Sequence, residues 1–201
     1  MSAVSTDAGC RSTEGRGETD GAVDTGSTVA PSRNARHTVR DAVRGDLKAI
    51  VAIERVSFSD AWTTAMFGVH LQQDAGNVFL VAVGGAAVEG YAITRTVGDE
   101  SELLNIAVSP DRRGCGVGAA LLDAVMTRCH HEGAAEMWLE VRESNVSAQS
   151  LYVSRGFATM GRRRRYYHSP REDAILLRAD LATDRRADPP AAATRVQAVK
   201  R

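Results

Sequence analysis

NIAVSPDRRGCGVGAALLDAV, residues 105–125, reads in one direction as an apolar strand, a glycine loop and the opening of a helix. The strand ends at Ser109, Arg113, Gly114, Gly116 and Gly118 punctuate the loop and the start of the helix, and Val117, Ala120, Leu121, Ala124 and Val125 recur at helical spacing on one face. Three glycines within five residues let the main chain approach a ligand closely. They also leave amide hydrogens at a helix N-terminus, where the positive end of the dipole suits phosphate. Arg113 adds a side-chain charge at the same point. The segment is an anion cradle, since an ordinary tight strand-to-helix connection needs one glycine and not three.

A dinucleotide fold is the rival. Gly114, Gly116 and Ala119 fit GxGxxA, and Glu140 lies about 20 residues on, where a ribose ligand would sit. That fingerprint should follow its strand at once and open a long series of βαβ units. Here Pro110 to Arg113 intervene, and only about 40 foldable residues come after Glu140. No Gly-Lys-Ser or Gly-Lys-Thr is present, so the Walker pattern fails too.

Further along, MWLEVRESNVSAQSLYVSRGF, residues 137–157, reads as a strand, an Asn-bearing turn and a helix stopped by Gly156. Alternation puts Met137, Leu139 and Val141 on one face and Trp138, Glu140 and Arg142 on the other. Glu140 is therefore a carboxylate held on a sheet strand, either a general base or a surface acid on a half-exposed strand.

Arg113, Gly116 and Gly118 form RxxGxG, and with it the sequence resembles the GNAT acetyltransferases, whose pyrophosphate loop for acetyl-coenzyme A has this pattern. NIAV, LEVR, SN, LY, GF and RRRYY together resemble one subfamily closely, the bacterial ribosomal-protein-alanine N-acetyltransferases, over roughly residues 39–181. The resemblance implies an α/β GNAT fold, a mixed central sheet of about seven strands with helices on both faces. It implies an enzyme that moves acetyl from acetyl-CoA directly to the N-terminal alanine of a small-subunit ribosomal protein. Glu140 takes the place of the family's proton acceptor and Tyr152 that of its proton donor. Gly114, Cys115, Gly116, Val117, Gly118 and Ala119, with Arg113, would cradle the pyrophosphate, and the backbone of Ile106, Ala107 and Val108 would bond the pantetheine arm as another strand would. Asn145 is either the N-cap of its helix or a cofactor ligand. Glu100 and Glu102 are rival bases, because many relatives use a glutamate on the preceding strand.

Elementary acid–base chemistry agrees. An α-amine, with pKa about 7.7–8.0, is partly neutral at pH 7, whereas lysine at about 10.4 is almost wholly charged. One carboxylate suffices for an N-terminus, and a phenol such as Tyr152 holds a proton for a departing thiolate. Acetylation of a lysine or a small-molecule amine, or acyl-CoA binding without catalysis, are the alternatives. Acids near the groove would favour a partly basic acceptor, and Asp60, Glu100, Glu102 and Glu172 are candidates. Trp62 and Phe67 resemble the subfamily's aromatic acceptor wall and equally suit a core. Arg162 to Arg165 with Tyr166 and Tyr167 resembles a nucleic-acid strip, but the subfamily uses a similar segment to border the acceptor groove.

The ends differ from the middle. Residues 1–38 are rich in Ser, Thr, Gly, Asp and Arg and read as a disordered extension, and 182–201, with Pro189, Pro190 and an alanine run, as a flexible tail. The chain carries 25 basic and 25 acidic residues, and neither end is basic enough to signal nucleic acid. Cys10, Cys115 and Cys129 lack metal-ligand spacing, so no metal is expected and a reduced cytoplasmic setting is. No signal-peptide core opens the chain and no apolar run approaches the roughly 18 residues of a membrane span. The expected state is a monomer. The expected elements are strands at 37–43, 77–83, 88–97, 102–109, 136–142, 157–166 and 174–181, with helices at 45–58, 63–73, 117–132 and 146–155.

Overall fold

The computed structural model describes residues 37–71 and 76–182; the terminal segments and the last residues of the second expected helix lie outside these. The chain runs β1 (Thr38–Asp41), a 3-10 turn (Arg44–Asp46), α1 (Leu47–Ser57), α2 (Thr64–His70), β2 (Asn77–Gly84), β3 (Ala87–Val97) and β4 (Glu100–Val108). A second 3-10 turn (Pro110–Arg112) leads to α3 (Val117–His131), β5 (Glu136–Arg142), α4 (Val146–Val153), β6 (Ala158–His168) and β7 (Arg171–Asp180). The strands form one mixed seven-stranded sheet in the order β1-β2-β3-β4-β5-β7-β6, and only β4 and β5 pair in parallel.

Period-two alternation of apolar residues divides the core between the two faces. Val78, Leu80, Ala82 and Ala92 pack with Leu121, Leu122, Val125 and Met126 of α3, a layer that Ala148 and Tyr152 of α4 extend. Phe79, Val81, Tyr91, Ile93 and Ala107 face the other way, onto Ile50 and Ile53 of α1 and Phe67 of α2. At 7 residues α2 is too short to stand alone. Phe67 holds it down, with its ring 6.1 Å from that of Phe79 and edge-on to Tyr91 at 5.3 Å. Such pairs add about 0.5–1.5 kcal/mol each to burial.

Several boundaries differ from the sequence pattern, and at two of them the cause is visible in contacts made by side chains or remote in sequence; α4 also ends at Val153, two residues before the expected stop. The first strand stops at Asp41 and the first helix proper begins at Leu47. Asp46 takes both guanidinium nitrogens of Arg40, at 2.7 and 2.9 Å, and the amide of Val43 at 2.8 Å, tightening the link into a 3-10 turn. The last two strands form a longer hairpin than expected. Pairing runs out to His168 and Arg171, and the arginine tract is carried on a strand with a bulge between Arg163 and Tyr167.

One irregularity positions the site. Ile93 pairs with Asn105 and Thr94 with Leu103, so Leu104 is an extra residue, a β-bulge in β4. Parallel pairing of β4 with β5 covers Glu100, Ser101 and Glu102 against Glu136, Met137 and Trp138 and ends there. Beyond it β4 keeps β3 as partner and β5 keeps β7, so the sheet parts between Ile106, Ala107 and Val108 on one side and Glu140, Val141 and Arg142 on the other.

Candidate active site

The glycine loop lies at the mouth of this parting. Gly114 (φ 73°) and Gly116 (φ 85°) occupy the left-handed region, which costs a residue with a Cβ about 1–2 kcal/mol. Gly116 caps α3, and a Cβ built on it meets nothing within 4 Å. Gly118 is buried within the first turn of α3. Below the loop the buried Glu89 pairs with His37 and, at 3.1 Å, with Arg112; His37 in turn reaches the carbonyl of Cys115 at 3.2 Å. Arg113, the charge that the sequence puts at this loop, is anchored by the chain itself. Its guanidinium folds back to the carbonyl of Val108 and the hydroxyl of Ser57, each at 3.2 Å, tying the end of β4 to α1. Burial pulls its pKa down from the ordinary arginine value.

On the α1 face a cleft of about 1060 Å³ opens between the α1–α2 link and the β6–β7 hairpin. Its lining includes Glu54, Asp60, Trp62, Asn105, Asn145 and Tyr166. Trp62 and Phe67 therefore divide: Trp62 lines the cleft, and Phe67 is wholly buried in the core. Asn145 caps α4, its Oδ1 accepting from the amide of Ala148 at 3.1 Å, and still borders the cleft. Glu172 is held by Arg142 at 3.3 Å and by the amide of Ser144, which draws its carboxyl below the ordinary range despite burial acting the other way.

Glu140 projects to the same sheet face, as the alternation required, yet only 6 % of it is exposed, so it is no surface acid. It lines a neighbouring groove of about 520 Å³ with Glu100, Glu102, Arg95 and Arg163, and Arg163 pairs with it at 3.3 Å. Tyr166 lines the cleft, close enough to the groove's carboxylates to feel their charge. Burial raises its pKa first and the charges of Glu140 and Glu102 raise it further, against Arg163.

Tyr152 is fully buried in the opposite layer, its ring 5.5 Å from Phe157. Its hydroxyl has no hydrogen-bond partner among the described residues. Burial pushes its pKa far above that of a free phenol, so the proton stays on oxygen. A buried donor without a partner, in a domain whose sheet parts over a left-handed glycine loop, leaves a hydrogen bond for a ligand to complete.

Two polar residues escaped the sequence reading. Glu54 is 1 % exposed and accepts from the amide of Trp62 at 2.9 Å, from the hydroxyl of Tyr91, and from Nδ2 of Asn105 at 3.3 Å to each oxygen. Burial raises its carboxyl pKa while these donors draw it down. Asn105 is 1 % exposed, and its Oδ1 has no partner among the described residues. A signal existed for both. Glu54 falls at i+4 from Ile50 and i+3 from Val51, on the helix face meant for the core, and Asn105 interrupts the apolar run LLNIAV.

A sheet split over a glycine cradle, with a carboxylate on one lip and a buried phenol behind, defines an acyltransferase of the coenzyme A type. The chain belongs to the acetyltransferase (GNAT) family, whose model matches residues 47–157. It is 38 % identical over 143 residues to the ribosomal protein bS18-alanine N-acetyltransferase of Escherichia coli strain K12, spanning 70 % of this chain and 95 % of that one. It is 32 % identical over 139 residues to the putative enzyme of that name from Bacillus subtilis strain 168, spanning 69 % and 92 %. The crystal structure of the ribosomal-protein-S18-alanine N-acetyltransferase from Escherichia coli superposes with a TM-score of 0.67 at 34 % identity, covering 73 % of this chain and 95 % of that one. Ard1 from Thermoplasma volcanium superposes with a TM-score of 0.66 at 26 % identity, covering 73 % and 98 %. The expected fold and enzyme class are thus both met.

Proposed function

We propose that this chain acetylates the N-terminal alanine of a small-subunit ribosomal protein, using acetyl-CoA. The observation that carries the reading is the parting of β4 from β5 over the glycine loop, with Glu140 on its α1 face. The relatives' names supply the acceptor.

In this reading the loop amides around Gly114, Gly116 and Gly118 and the N-terminus of α3 hold pyrophosphate, while Ile106, Ala107 and Val108 present backbone groups to the pantetheine arm. Acetyl-CoA supplies the acetyl group as a thioester. Glu140 takes a proton from the α-ammonium, directly or through water, and frees the nitrogen lone pair. The nitrogen bonds to the acetyl carbon as the carbon–sulfur bond breaks; the Tyr152 hydroxyl gives its proton to sulfur, and the second proton shed by the nitrogen returns to the phenolate through water. Burial keeps the phenol protonated until the thiolate forms, so the donor is in place when sulfur departs.

The catalytic domain is residues 39–181, acting as a monomer in the cytoplasm without a metal, and removal of residues 1–36 should leave peptide acetylation unchanged. The test is coenzyme A release with a panel of short peptides that vary the first residue and include an N-terminally blocked control. Alanine-first peptides should be the best substrates and the blocked peptide inert. Acetylation confined to lysine side chains or free small amines would overturn the reading.

A further inference from the structure

The bulge at Leu104 does more than bend β4. It makes Leu104 and Asn105 both face α1, so Asn105 shares a sheet face with Glu140. Glu102 pairs with Trp138. Because Leu104 is the extra residue, Asn105 stands two ladder positions beyond Glu102, and Glu140 stands two beyond Trp138. The two side chains thus face the parting from opposite lips at the same level.

Glu54 settles which way the Asn105 amide points. The Glu54 carboxyl already accepts from Trp62 and Tyr91, and the donor that the Asn105 side chain has to offer it is Nδ2. Nδ2 meets both carboxylate oxygens at 3.3 Å, which turns Oδ1 away from Glu54. That oxygen is buried, has no donor among the described residues, and belongs to a residue lining the large cleft. Buried carbonyl oxygens are rarely left so, because an unmade hydrogen bond there is costly.

We propose, resting on the acetyl-transfer reading above, that Asn105 Oδ1 receives an N–H of the acceptor amine and that Glu54 is the positioning residue that aims it. A neutral amine has two N–H groups and one lone pair. Asn105 on one lip and Glu140 on the other hold the two N–H groups, and the lone pair is left facing the parting, where the acetyl carbon would lie. The backbone amide of Trp62, in the α1–α2 link, and the hydroxyl of Tyr91, on β3, fix Glu54 from two further sides.

The test uses the full chain and an alanine-first peptide. Asn105→Ala should lower kcat/KM for peptide by about tenfold or more, with affinity for coenzyme A in calorimetry within about twofold of wild type. Glu54→Gln should act in the same direction. The double variant should lose little beyond Asn105→Ala alone, because Glu54 acts through Asn105. Losses that multiply, or a Glu54→Gln that lowers Tm with kcat and KM intact, would make Glu54 structural and overturn its role. A fall in coenzyme A affinity in Asn105→Ala would assign Oδ1 to the cosubstrate instead and refute the amine contact. A wild-type chain that acetylates no free peptide α-amine would refute the functional reading itself, a result visible before any variant is made.

Discussion

Replacing Tyr152 by phenylalanine removes one oxygen atom from a fully buried side chain whose hydroxyl has no partner among the described residues. A buried polar group without a partner costs about 1–3 kcal/mol. The vacated space, roughly 10 Å³ at about 24 cal/mol per Å³, returns only about 0.2 kcal/mol of that. The Tyr152→Phe protein without coenzyme A should therefore be more stable than wild type by about 1–2 kcal/mol, a Tm rise of about 3–8 °C for a domain of this size. The gap should widen above about pH 10. Burial raises the phenol's pKa in the folded state, so wild type loses stability as the pH climbs past the unfolded value and toward the folded one, and phenylalanine has nothing to titrate. Turnover should move the other way, falling about a hundredfold as the proton for the leaving sulfur is lost. Calorimetry without ligand and a coenzyme A release assay read the two effects separately. A variant that is destabilised by more than about 1 kcal/mol and turns over normally would show that the hydroxyl has a structural partner, and would remove Tyr152 from the chemistry.

Glu140→Gln keeps the shape of the side chain and its contact with Arg163 while removing the base, so turnover at pH 7 should fall about a hundredfold with coenzyme A affinity in calorimetry unchanged. Gly116→Ala has room for its Cβ but must hold φ near 85°, so denaturant unfolding should show a loss of about 1–2 kcal/mol, and coenzyme A affinity should drop because the new methyl projects from the cradle. In Gly90→Ala the Cβ would sit 2.7 Å from the carbonyl oxygen of Ala107 and 3.0 Å from Leu121 Cδ1, forcing β3, β4 and α3 apart; a loss of about 2–3 kcal/mol in urea unfolding is expected. Asp46→Asn should cost about 1–2 kcal/mol at pH 7. Its bond to Arg40 depresses the Asp46 carboxyl below the ordinary value, so wild type holds this advantage above about pH 4 and loses it as the pH falls further, a convergence that thermal melts at descending pH would record.

Much of the site was legible in the chain because its signals are local. Glycines before a helical apolar stripe mark a cradle whatever surrounds them, and period-two alternation assigned Glu140 and Met137 to opposite sheet faces. The cap at Asn145 depends on residues a few positions away and stands where the pattern put it, whereas the helix ends at Val153 and Gly156, still left-handed, lies in the turn beyond its Ser154 C-cap. What packs across the sheet is another matter. The bulge at Leu104 depends on how β4 meets β3, and the aim of Asn105 depends on Glu54, 51 residues earlier. Arg113 folds onto Ser57, 56 residues away, and the hydroxyl of Tyr152 is orphaned by a layer drawn from α3, β4, β5 and α4. Periodicity reports which face a residue takes, since backbone geometry repeats along the chain; its hydrogen-bond partner and its dielectric surroundings come from segments that only folding brings beside it.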